Sequence, residues 1–281
     1  MHDPRFRDSF RAPPPRADGE RLEKALAEAG VFSRRDAQFA IRAGRVRVNG
    51  RRVAELPCLI DPAQDLVELD GEIVDLRGRA GRRSRARIYL MLHKPKGVIS
   101  TVRDPGGRAT VVDMVRAAVP AGERVYPVGR LDADSTGLVL LTNDGELAHR
   151  LAHPSSGIRK EYRVAVQGAL PPTALAQLAK GAFLADRHSP TGGAKRARMQ
   201  DVRVLRRVRN RRDGDLSLVS VTLTEGQNRE IRRLFARVGA RVRSLERVAL
   251  GTLTLGRLPR GHYRALRGEE VLALRRSVGL G

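Results

Sequence analysis

A stretch that cannot join a hydrophobic core interrupts this chain well before its midpoint. Residues 75–87 contain six arginines and almost no side chains that could pack in an interior. Because such a stretch cannot cross a packed core, the residues on either side must fold around separate cores. The chain has 281 residues, whereas one domain has about 100–150. We therefore predict a flexible basic tail at 1–18, a small domain at 19–74, a basic linker at 75–87 and a larger domain at 88–281.

The charge balance predicts a polyanionic partner. The chain carries 54 Lys and Arg residues against 31 Asp and Glu residues, so its net charge is +23. Binding a polyanion relieves the self-repulsion of this excess, and the polyanion is either nucleic acid or an anionic membrane surface. The sequence lacks the apolar run of about 18 residues that would span a membrane, and it lacks an amphipathic basic helix with large apolar anchors. We therefore expect a nucleic acid partner and no membrane association.

The single cysteine and the N-terminal residues indicate which kinds of structural site the protein can have and where in the cell it is expected. Cys58 has no second cysteine in the chain, which excludes an intramolecular disulfide and a zinc knuckle. Residues 1–16 lack the apolar segment of a signal peptide, and we therefore expect a cytoplasmic protein.

The small domain has the pattern of two helices followed by a hairpin. Apolar residues recur at helical spacing over 22–29, and a glycine follows them. Ser33 and Asp36 predict a capping box at the start of a second helix, because the two side chains can satisfy free backbone amides. Alternating residues over Val46–Val53 surround an Asn-Gly dipeptide, which predicts a hairpin.

Positive charge is concentrated on the second helix and the hairpin of this domain. Between Ser33 and Val53 there are seven arginines and one acid, Asp36. A helix–turn–helix followed by an Arg-flanked hairpin resembles the S4 RNA-binding domain, and this resemblance implies that the basic surface binds RNA. The candidate RNA-binding residues of the domain are Arg34, Arg35, Arg42, Arg45, Arg47, Arg51 and Arg52.

The larger domain mixes strand and helix patterns. Strand patterns include Gly137–Thr142, Tyr162–Gln167 and Val248–Leu255, and a helical pattern covers Asn228–Val238. Because strands and helices do not alternate as βαβ units, we predict an α+β fold with a mixed, largely antiparallel sheet. Residues 187–198, with adjacent glycines and several basic residues, predict an exposed loop.

A charged triplet, Arg130-Leu131-Asp132, precedes one of the apolar strands of this domain. A carboxylate at the mouth of a buried strand is held rigidly and is partly desolvated, as a nucleophile or base requires. By itself the pattern is weak, because most Asp residues before a strand form turns. The longer string GRLDADSTGLVLLTN at 129–143 resembles the catalytic signature of the pseudouridine synthase family that modifies ribosomal RNA. This resemblance implies that Asp132 is the catalytic carboxylate.

Three further segments resemble motifs of the same family and follow one another in the family's order. LHKPKGVIST at 92–101 resembles its entry strand and turn. KEY at 160–162 resembles the motif whose tyrosine, here Tyr162, lies against the target base. EGQNREIRR at 225–233 resembles the motif whose arginine, here Arg232, pairs with the catalytic carboxylate and keeps it ionised. The candidate RNA-binding residues of this domain are Lys94, Lys96, Arg130, Lys160, Arg229 and Arg233.

The resemblance extends over residues 20–270, and the ending Leu258–Gly261 favours the large-subunit branch of the family. Gln227 stands where the family usually has arginine, so no phosphate contact is expected there. The family implies an isomerase that breaks the bond from uracil N1 to C1′ and rejoins the base through C5, with no cofactor and no metal. The aspartate could add to the sugar or the base, or remove a sugar proton.

The implied partner is structured ribosomal RNA, either as a stem-loop or in a pre-ribosomal particle, and we expect the enzyme to be a monomer. The target uridine must leave its stack at a cost of a few kcal/mol. Contacts between the basic surface and phosphates offset that cost. Tyr162 offers a ring for stacking and a hydroxyl that could help proton movement at C5.

Two alternatives remain open at this point. Asp132, Asp134 and Asp144 could form a divalent-metal site, as in nucleases. No His or Glu completes such a ligand set nearby, and Asp134 and Asp144 are better interpreted as turn and cap residues. The chain could instead be an RNA-binding or ribosome-assembly protein without catalysis. The joint presence of Asp132, Tyr162 and Arg232 argues against that interpretation.

Overall fold

The chain folds into two compact units, with the boundary between Ala86 and Arg87. The computed structural model describes residues 19–76, 86–185, 193–209 and 214–281. The predicted tail at 1–18 and the linker residues 77–85 lie outside these ranges. No helix in these ranges is both long enough and apolar enough to cross a membrane.

The N-terminal unit consists of two helices and short antiparallel strands. Its elements in chain order are β1 (Glu20–Arg21), α1 (Leu22–Glu28), α2 (Arg34–Arg42), β2 (Val46–Val48), β3 (Arg51–Val53), β4 (Leu59–Ile60), β5 (Val67–Leu69) and β6 (Glu72–Val74). The strands form a sheet in the order β3-β2-β5-β6 and a separate pair, β1 with β4.

Local chemistry explains the helix start and the hairpin of this unit. The Ser33 side chain accepts a hydrogen bond from the Asp36 backbone amide at 3.1 Å, which caps α2. Asn49 and Gly50 have φ angles of 51° and 75°, the left-handed pair that a tight hairpin requires. Asn49 Nδ2 also donates to Asp65 Oδ1 at 2.8 Å, which ties the turn to the next segment. The predicted helices and hairpin are confirmed.

The C-terminal unit is larger and contains one central sheet. Its elements in chain order are β7 (Tyr89–Lys94), α3 (Val111–Val115), β8 (Tyr126–Pro127), β9 (Thr136–Thr142), α4 (Gly145–Ala152), β10 (Lys160–Gln167), α5 (Pro172–Lys180), β11 (Ala182–Ala185), β12 (Ala194–Ala197), β13 (Asp201–Val208), β14 (Leu216–Leu223), α6 (Glu230–Arg237), β15 (Val242–Leu250), β16 (Leu253–Thr254), β17 (Tyr263–Ala265) and α7 (Gly268–Ser277). Short 3₁₀ turns follow α3 and α4.

The central sheet has the order β13-β14-β10-β15-β9-β7-β17, with β16 beside β15 and β8 beside β9. Neighbouring strands in it are antiparallel except for β15 and β9, which run parallel. The predicted α+β fold with a mixed, largely antiparallel sheet is confirmed.

The sheet separates two hydrophobic clusters. Successive side chains of a strand point to opposite faces, and β9 shows this alternation. Val139 and Leu141 join the cluster that contains buried residues of α3, α5 and α6. Leu138 and Leu140 join the cluster that contains buried residues of α4 and α7. Strand β9 is therefore buried on both faces, and it anchors the loop that precedes it.

Two segments differ from the sequence-based prediction. The strand predicted at Val248–Leu255 begins earlier, because β15 starts at Val242. Charged residues in its first part, among them Arg247, interrupt the apolar alternation that the prediction relied on. The predicted loop at 187–198 lies partly outside the described ranges, but its residues Ala194–Ala197 form β12, which pairs with β11.

Candidate active site

The loop that carries Asp132 enters β9 and is held by buried contacts. Ser100 clamps Leu131, because its Oγ donates to the Leu131 carbonyl at 2.9 Å and accepts from the Leu131 amide at 3.1 Å. The Ser135 amide donates to the Asp132 carbonyl at 3.0 Å, which closes a turn around the carboxylate. The Asp132 side chain is 29% exposed. The loop therefore presents a partly exposed carboxylate on a fixed backbone.

Lys94, at the end of β7, contacts the same loop from the buried side. Its side chain is fully buried. Its Nζ donates to the Pro95 carbonyl at 2.9 Å and to the Val98 carbonyl at 2.7 Å, and it lies 3.5 Å from the Ala133 carbonyl. The ammonium thus ties the turn after β7 to the residue next to Asp132.

The prediction that Lys94 binds RNA is wrong, because its donors are used inside the protein and no phosphate can reach it. Burial lowers the pKa of Lys94 to about 8, although the charges of Asp132 and Asp134 act in the opposite direction.

Two arginines of the third motif converge on the loop, but they pair mainly with Asp134. Arg232 Nη2 lies 3.2 Å from Asp134 Oδ2, and Arg232 Nη1 donates to the Val242 carbonyl at 3.3 Å. Arg229 donates to both oxygens of Asp134 at 3.1 Å and brings Nη1 to 3.7 Å from Asp132 Oδ2. The predicted pair between Arg232 and Asp132 is therefore replaced by a pair with Asp134. The Asp132 charge still acts on Arg232 at longer range.

Asp134 balances the charge of these two arginines. Burial acts to raise its pKa, but the hydrogen bond from Arg229 and the charges of Arg232 and Arg229 hold the pKa below the ordinary aspartate value. Burial lowers the pKa of Arg232, while the charge of Asp134 opposes that change. Asp134 therefore lies in a turn, as predicted, and its side chain also pairs with both arginines.

Tyr162 lies on β10 and is buried, with 7% of its surface exposed. Burial raises the pKa of its hydroxyl, and the nearby charges of Glu230 and Asp132 raise it further. The positive charge of Arg247, which is paired with Tyr162 between β15 and β10, acts in the opposite direction. The structure therefore brings a neutral tyrosine within the electrostatic reach of Asp132.

Asp144 is the N-cap residue of α4. Its Oδ1 accepts from the Leu147 amide at 3.2 Å, and its Oδ2 accepts from the Tyr89 hydroxyl at 2.8 Å and from Arg275 at 3.2 Å. The prediction that Asp144 is a cap residue is confirmed. Across the described part of the chain, no cluster of three or more His, Cys, Asp or Glu side chains could hold a metal ion.

Comparison with known proteins identifies the family. A family model described as RNA pseudouridylate synthase matches residues 88–237, which are more than half of the chain. This chain belongs to the RNA pseudouridine synthase family. It is an isomerase, and a model of the S4 domain matches residues 20–55.

Relatives of this pseudouridine synthase match nearly its whole length. An uncharacterized RNA pseudouridine synthase of Mycobacterium tuberculosis is 41% identical, covering 93% of this chain and 95% of the relative. Ribosomal large subunit pseudouridine synthase B of Bacillus subtilis is 37% identical, covering 91% and 96%. A crystal structure of a pseudouridylate synthase is similar with a TM-score of 0.56 and 29% identity, covering 90% of this chain and 99% of that one.

The other cationic residues predicted to contact RNA in the catalytic unit differ in whether their side chains are already bonded inside the protein. Lys160 is half-buried and donates to the carbonyls of Thr224 and Glu225 at 3.0 and 3.4 Å, and burial lowers its pKa. Arg233 donates to the Ala185 carbonyl at 2.7 Å and ties α6 to β11. These two residues make contacts within the fold, and their contact with RNA stays a prediction.

Lys96 and Arg130 are exposed, as is Arg229 in part. These three remain predicted phosphate contacts of the catalytic unit.

The arginines of the S4 domain also divide into two groups. Arg45 forms a bidentate pair with Asp70, and Arg52 donates to the Gly44 carbonyl at 2.8 Å. Arg47 donates to a carbonyl within its own hairpin, and Arg34 lies 3.9 Å from a buried glutamate. Arg45 and Arg52 therefore also make contacts within the domain, and their contact with RNA stays a prediction. Three arginines of the S4 domain are exposed and have side chains that contact no partner among the described residues. They are Arg35, Arg42 and Arg51.

Sequence reasoning missed Arg247, a buried residue of β15 that is 2% exposed. Its Nε donates to the Leu138 carbonyl at 2.8 Å, and it is paired with Tyr162 of the neighbouring strand β10. The sequence could have indicated Arg247, because a charged residue at an inward-facing strand position is unusual. The strand was predicted to begin at Val248, however, so Arg247 was not assigned to it.

Proposed function

We propose that this enzyme converts a specific uridine of large-subunit ribosomal RNA to pseudouridine, with Asp132 as the catalytic carboxylate. The observation that supports this target most directly is the match to ribosomal large subunit pseudouridine synthase B of Bacillus subtilis over nearly the full length of both chains. That match includes the S4 domain as well as the catalytic unit. In this proposal the target base leaves its stack and enters the site beside Tyr162.

The arrangement around Asp132 favours it as the reacting group. Within the described residues its carboxylate accepts no hydrogen bond, and its nearest cation is Arg229 at 3.7 Å. Asp134 takes the direct contacts of Arg229 and Arg232 instead. Asp132 therefore has lone pairs available for a substrate atom.

The reaction requires three events at the base. The bond from N1 to C1′ breaks, a bond from C5 to C1′ forms, and the proton at C5 leaves while N1 gains one. Asp132 acts as the nucleophile or base for this sequence, and the buried Tyr162 forms a wall of the pocket for the base. Lys96, Arg130 and Arg229 contact the flanking phosphates, because they are the exposed cations of the motif loops.

The S4 domain supplies affinity in this proposal. Arg35, Arg42 and Arg51 have no internal partner among the described residues and can neutralise phosphates without breaking internal contacts.

The proposal is tested with total ribosomal RNA from cells that lack the protein. Purified enzyme is added with EDTA or, in a parallel reaction, with Mg²⁺, and pseudouridine is mapped chemically in each ribosomal RNA, with Asp132→Asn as the control. Pseudouridine at one uridine of the large-subunit RNA, absent with the variant, is the expected result. Modification confined to small-subunit RNA would disprove the target, and strand cleavage that needs a divalent metal would support a nuclease. Binding without modification would indicate an RNA-binding protein that has lost catalysis.

A further inference from the structure

Phe39 is an exposed aromatic residue on the basic helix α2 of the S4 domain. Its side chain is 72% exposed, more than any other large apolar residue that the structure describes. The chain is poor in aromatic residues, with six phenylalanines, four tyrosines and no tryptophan. One of these few rings is thus placed in solvent, where it contributes little to folding and is accessible to a partner.

The exposed side of α2 carries Phe39 between two arginines. The buried residues of the helix lie on its other side, against the core of the domain. Successive residues of a helix are about 100° apart, so Arg35, Phe39 and Arg42 lie within about 60° of one another. Both arginines are exposed, and neither side chain contacts a partner among the described residues. The ring is therefore flanked by two cations that can bind anions without breaking an internal contact.

A second exposed apolar residue of the domain has opposite surroundings. Ile73, on β6, is 67% exposed, but it follows Glu72 and is paired with Glu68 across the sheet. Single exposed apolar side chains are common on protein surfaces and need no partner. What distinguishes Phe39 from Ile73 is the combination of a flat ring with two unpartnered cations on one face.

These surroundings fit an unpaired nucleotide. A base that has left its stack offers a flat face to an aromatic ring, and the adjoining phosphates offer negative charge to the arginines. In a fully paired stem the neighbouring base pairs cover the base faces, so the ring could not stack there. A second copy of this chain would bring like charges of Arg35 and Arg42 together, which electrostatic repulsion opposes.

We propose that Phe39 stacks on an unpaired base of the RNA substrate while Arg35 and Arg42 bind the phosphates that flank this base. The S4 domain therefore recognises a bulge or loop nucleotide and not only the charge of a stem. Stacking on an aromatic ring accepts any base, so this contact selects RNA structure and not sequence. The inference rests on the proposed function only in that RNA is the substrate.

Binding of the full-length protein to three RNA duplexes tests the stacking contact. One duplex carries a bulged adenosine, which cannot be isomerised, the second carries an abasic ribose at that position, and the third has no bulge. Wild type is expected to bind the adenosine bulge at least about fivefold more tightly than the other two, because base–aromatic stacking contributes that much to affinity.

Two substitutions of Phe39 separate stacking from general apolar contact. Phe39→Leu keeps an apolar side chain but has no flat face, and it is expected to bind all three duplexes with equal affinity. Phe39→Tyr keeps the ring and is expected to retain the wild-type preference. Because Phe39 is uncharged, Phe39→Leu is expected to leave the slope of log affinity against log salt unchanged.

Ile73→Ala is the matched control. It removes a similarly exposed apolar side chain from an acidic strand of the same domain and is expected to keep wild-type affinity for all three duplexes. Thermal unfolding of each variant verifies that the domain is folded, as expected for substitutions of exposed side chains.

The outcomes distinguish this inference from the proposed function. A Phe39→Leu protein that still prefers the adenosine bulge to the abasic bulge would overturn the stacking contact, and so would a wild type without this preference. Unchanged RNA affinity, with a shift of Phe39→Leu from dimer to monomer in sedimentation, would assign the ring to a contact between two copies of the chain. Failure of the proposed target is measured separately, by mapping pseudouridine, and none of the three duplexes contains that target.

Discussion

Two aspartates that are two residues apart, Asp132 and Asp134, have different environments in the candidate active site. Asp134 is paired with Arg229 and Arg232 at 3.1–3.2 Å. Asp132 accepts no hydrogen bond from the described residues and lies 3.7 Å from Arg229. One carboxylate therefore holds the arginines in place, and the other remains available to a substrate atom.

This difference predicts distinct effects for two isosteric substitutions. Asp132→Asn is expected to lower kcat by more than about 1,000-fold with unchanged folding and RNA affinity, because only the reactive charge is lost. Asp134→Asn is expected to keep measurable turnover but to lower thermal stability, because it leaves two guanidiniums without their partner. Release of tritium from C5-labelled uridine and thermal unfolding of both variants provide the test. Turnover within tenfold of wild type for a folded Asp132→Asn protein would rule out Asp132.

Lys94 predicts a pH dependence of stability. Its folded-state pKa is about 8, below the ordinary value of 10.5, because the ammonium is buried. Between these values the unfolded chain binds more protons than the folded one, so the contribution of Lys94 to the free energy of unfolding rises with pH.

We therefore expect wild type to gain stability relative to Lys94→Met as pH rises from 8 to 10.5, by at most about 3 kcal/mol. Urea unfolding of both proteins across this range measures the difference, with Lys96→Met as the exposed control. A difference that stays constant with pH would show that the Lys94 amine is not desolvated.

At the scale of elements, the parallel pair of β9 and β15 determines how the site is assembled. Strand β9 follows the Asp132 loop, and β15 carries Arg247 between it and Tyr162. The close approach of these two strands depends on Gly137, which has a φ of 112° and no room for a Cβ. Strand pairing, and not the loop alone, therefore sets the spacing between the candidate catalytic groups.

Gly137→Ala is expected to lower the free energy of unfolding by at least about 2 kcal/mol, through a clash with the Arg247 backbone added to backbone strain. Gly122→Ala is the matched control, because Gly122 also has a positive φ but open space around it. The control is expected to cost about 1 kcal/mol. Equal losses in chemical unfolding of the two variants would show that β9 and β15 can separate without penalty.

At the scale of the whole molecule, the excess of arginine has more than one role. Arg45 and Arg52 stabilise the S4 domain, and Arg232 and Arg247 are partly or fully buried in the catalytic unit. Exposed arginines without internal partners can neutralise phosphates and release counterions without losing an internal contact, whereas buried arginines cannot. Net charge therefore overstates the number of phosphate contacts.

The triple variant Arg35→Gln/Arg42→Gln/Arg51→Gln tests this division. Loss of three phosphate contacts should flatten the slope of log affinity against log salt by about 2 to 3, with kcat at saturating RNA unchanged. The double variant Arg45→Gln/Asp70→Asn keeps the net charge and is expected to keep the slope. RNA binding measured over a salt series gives the comparison. A triple variant with the wild-type slope would mean that RNA does not contact this surface.

Residues with short-range signals were predicted correctly. The Ser33 cap, the Asn49-Gly50 turn and the β9 strand depend on hydrogen bonds and side-chain alternation within a few residues. The hairpin formed by β11 and β12 was not predicted, because its short second strand lacks an apolar alternation and forms only through pairing with the first.

The sequence by itself determined the class of fold, the order of the motifs and the family, because these depend on local patterns and on strings of matching residues. Only the tertiary structure decided which charges meet. Asp134 rather than Asp132 pairs with Arg232, Lys94 faces inward, and Arg247 is buried opposite Tyr162 on the neighbouring strand. An ion pair or hydrogen bond is decided at about 3–4 Å between side chains from segments far apart in the chain. Periodicity indicates the face on which a residue lies, but not the partner that it finds there.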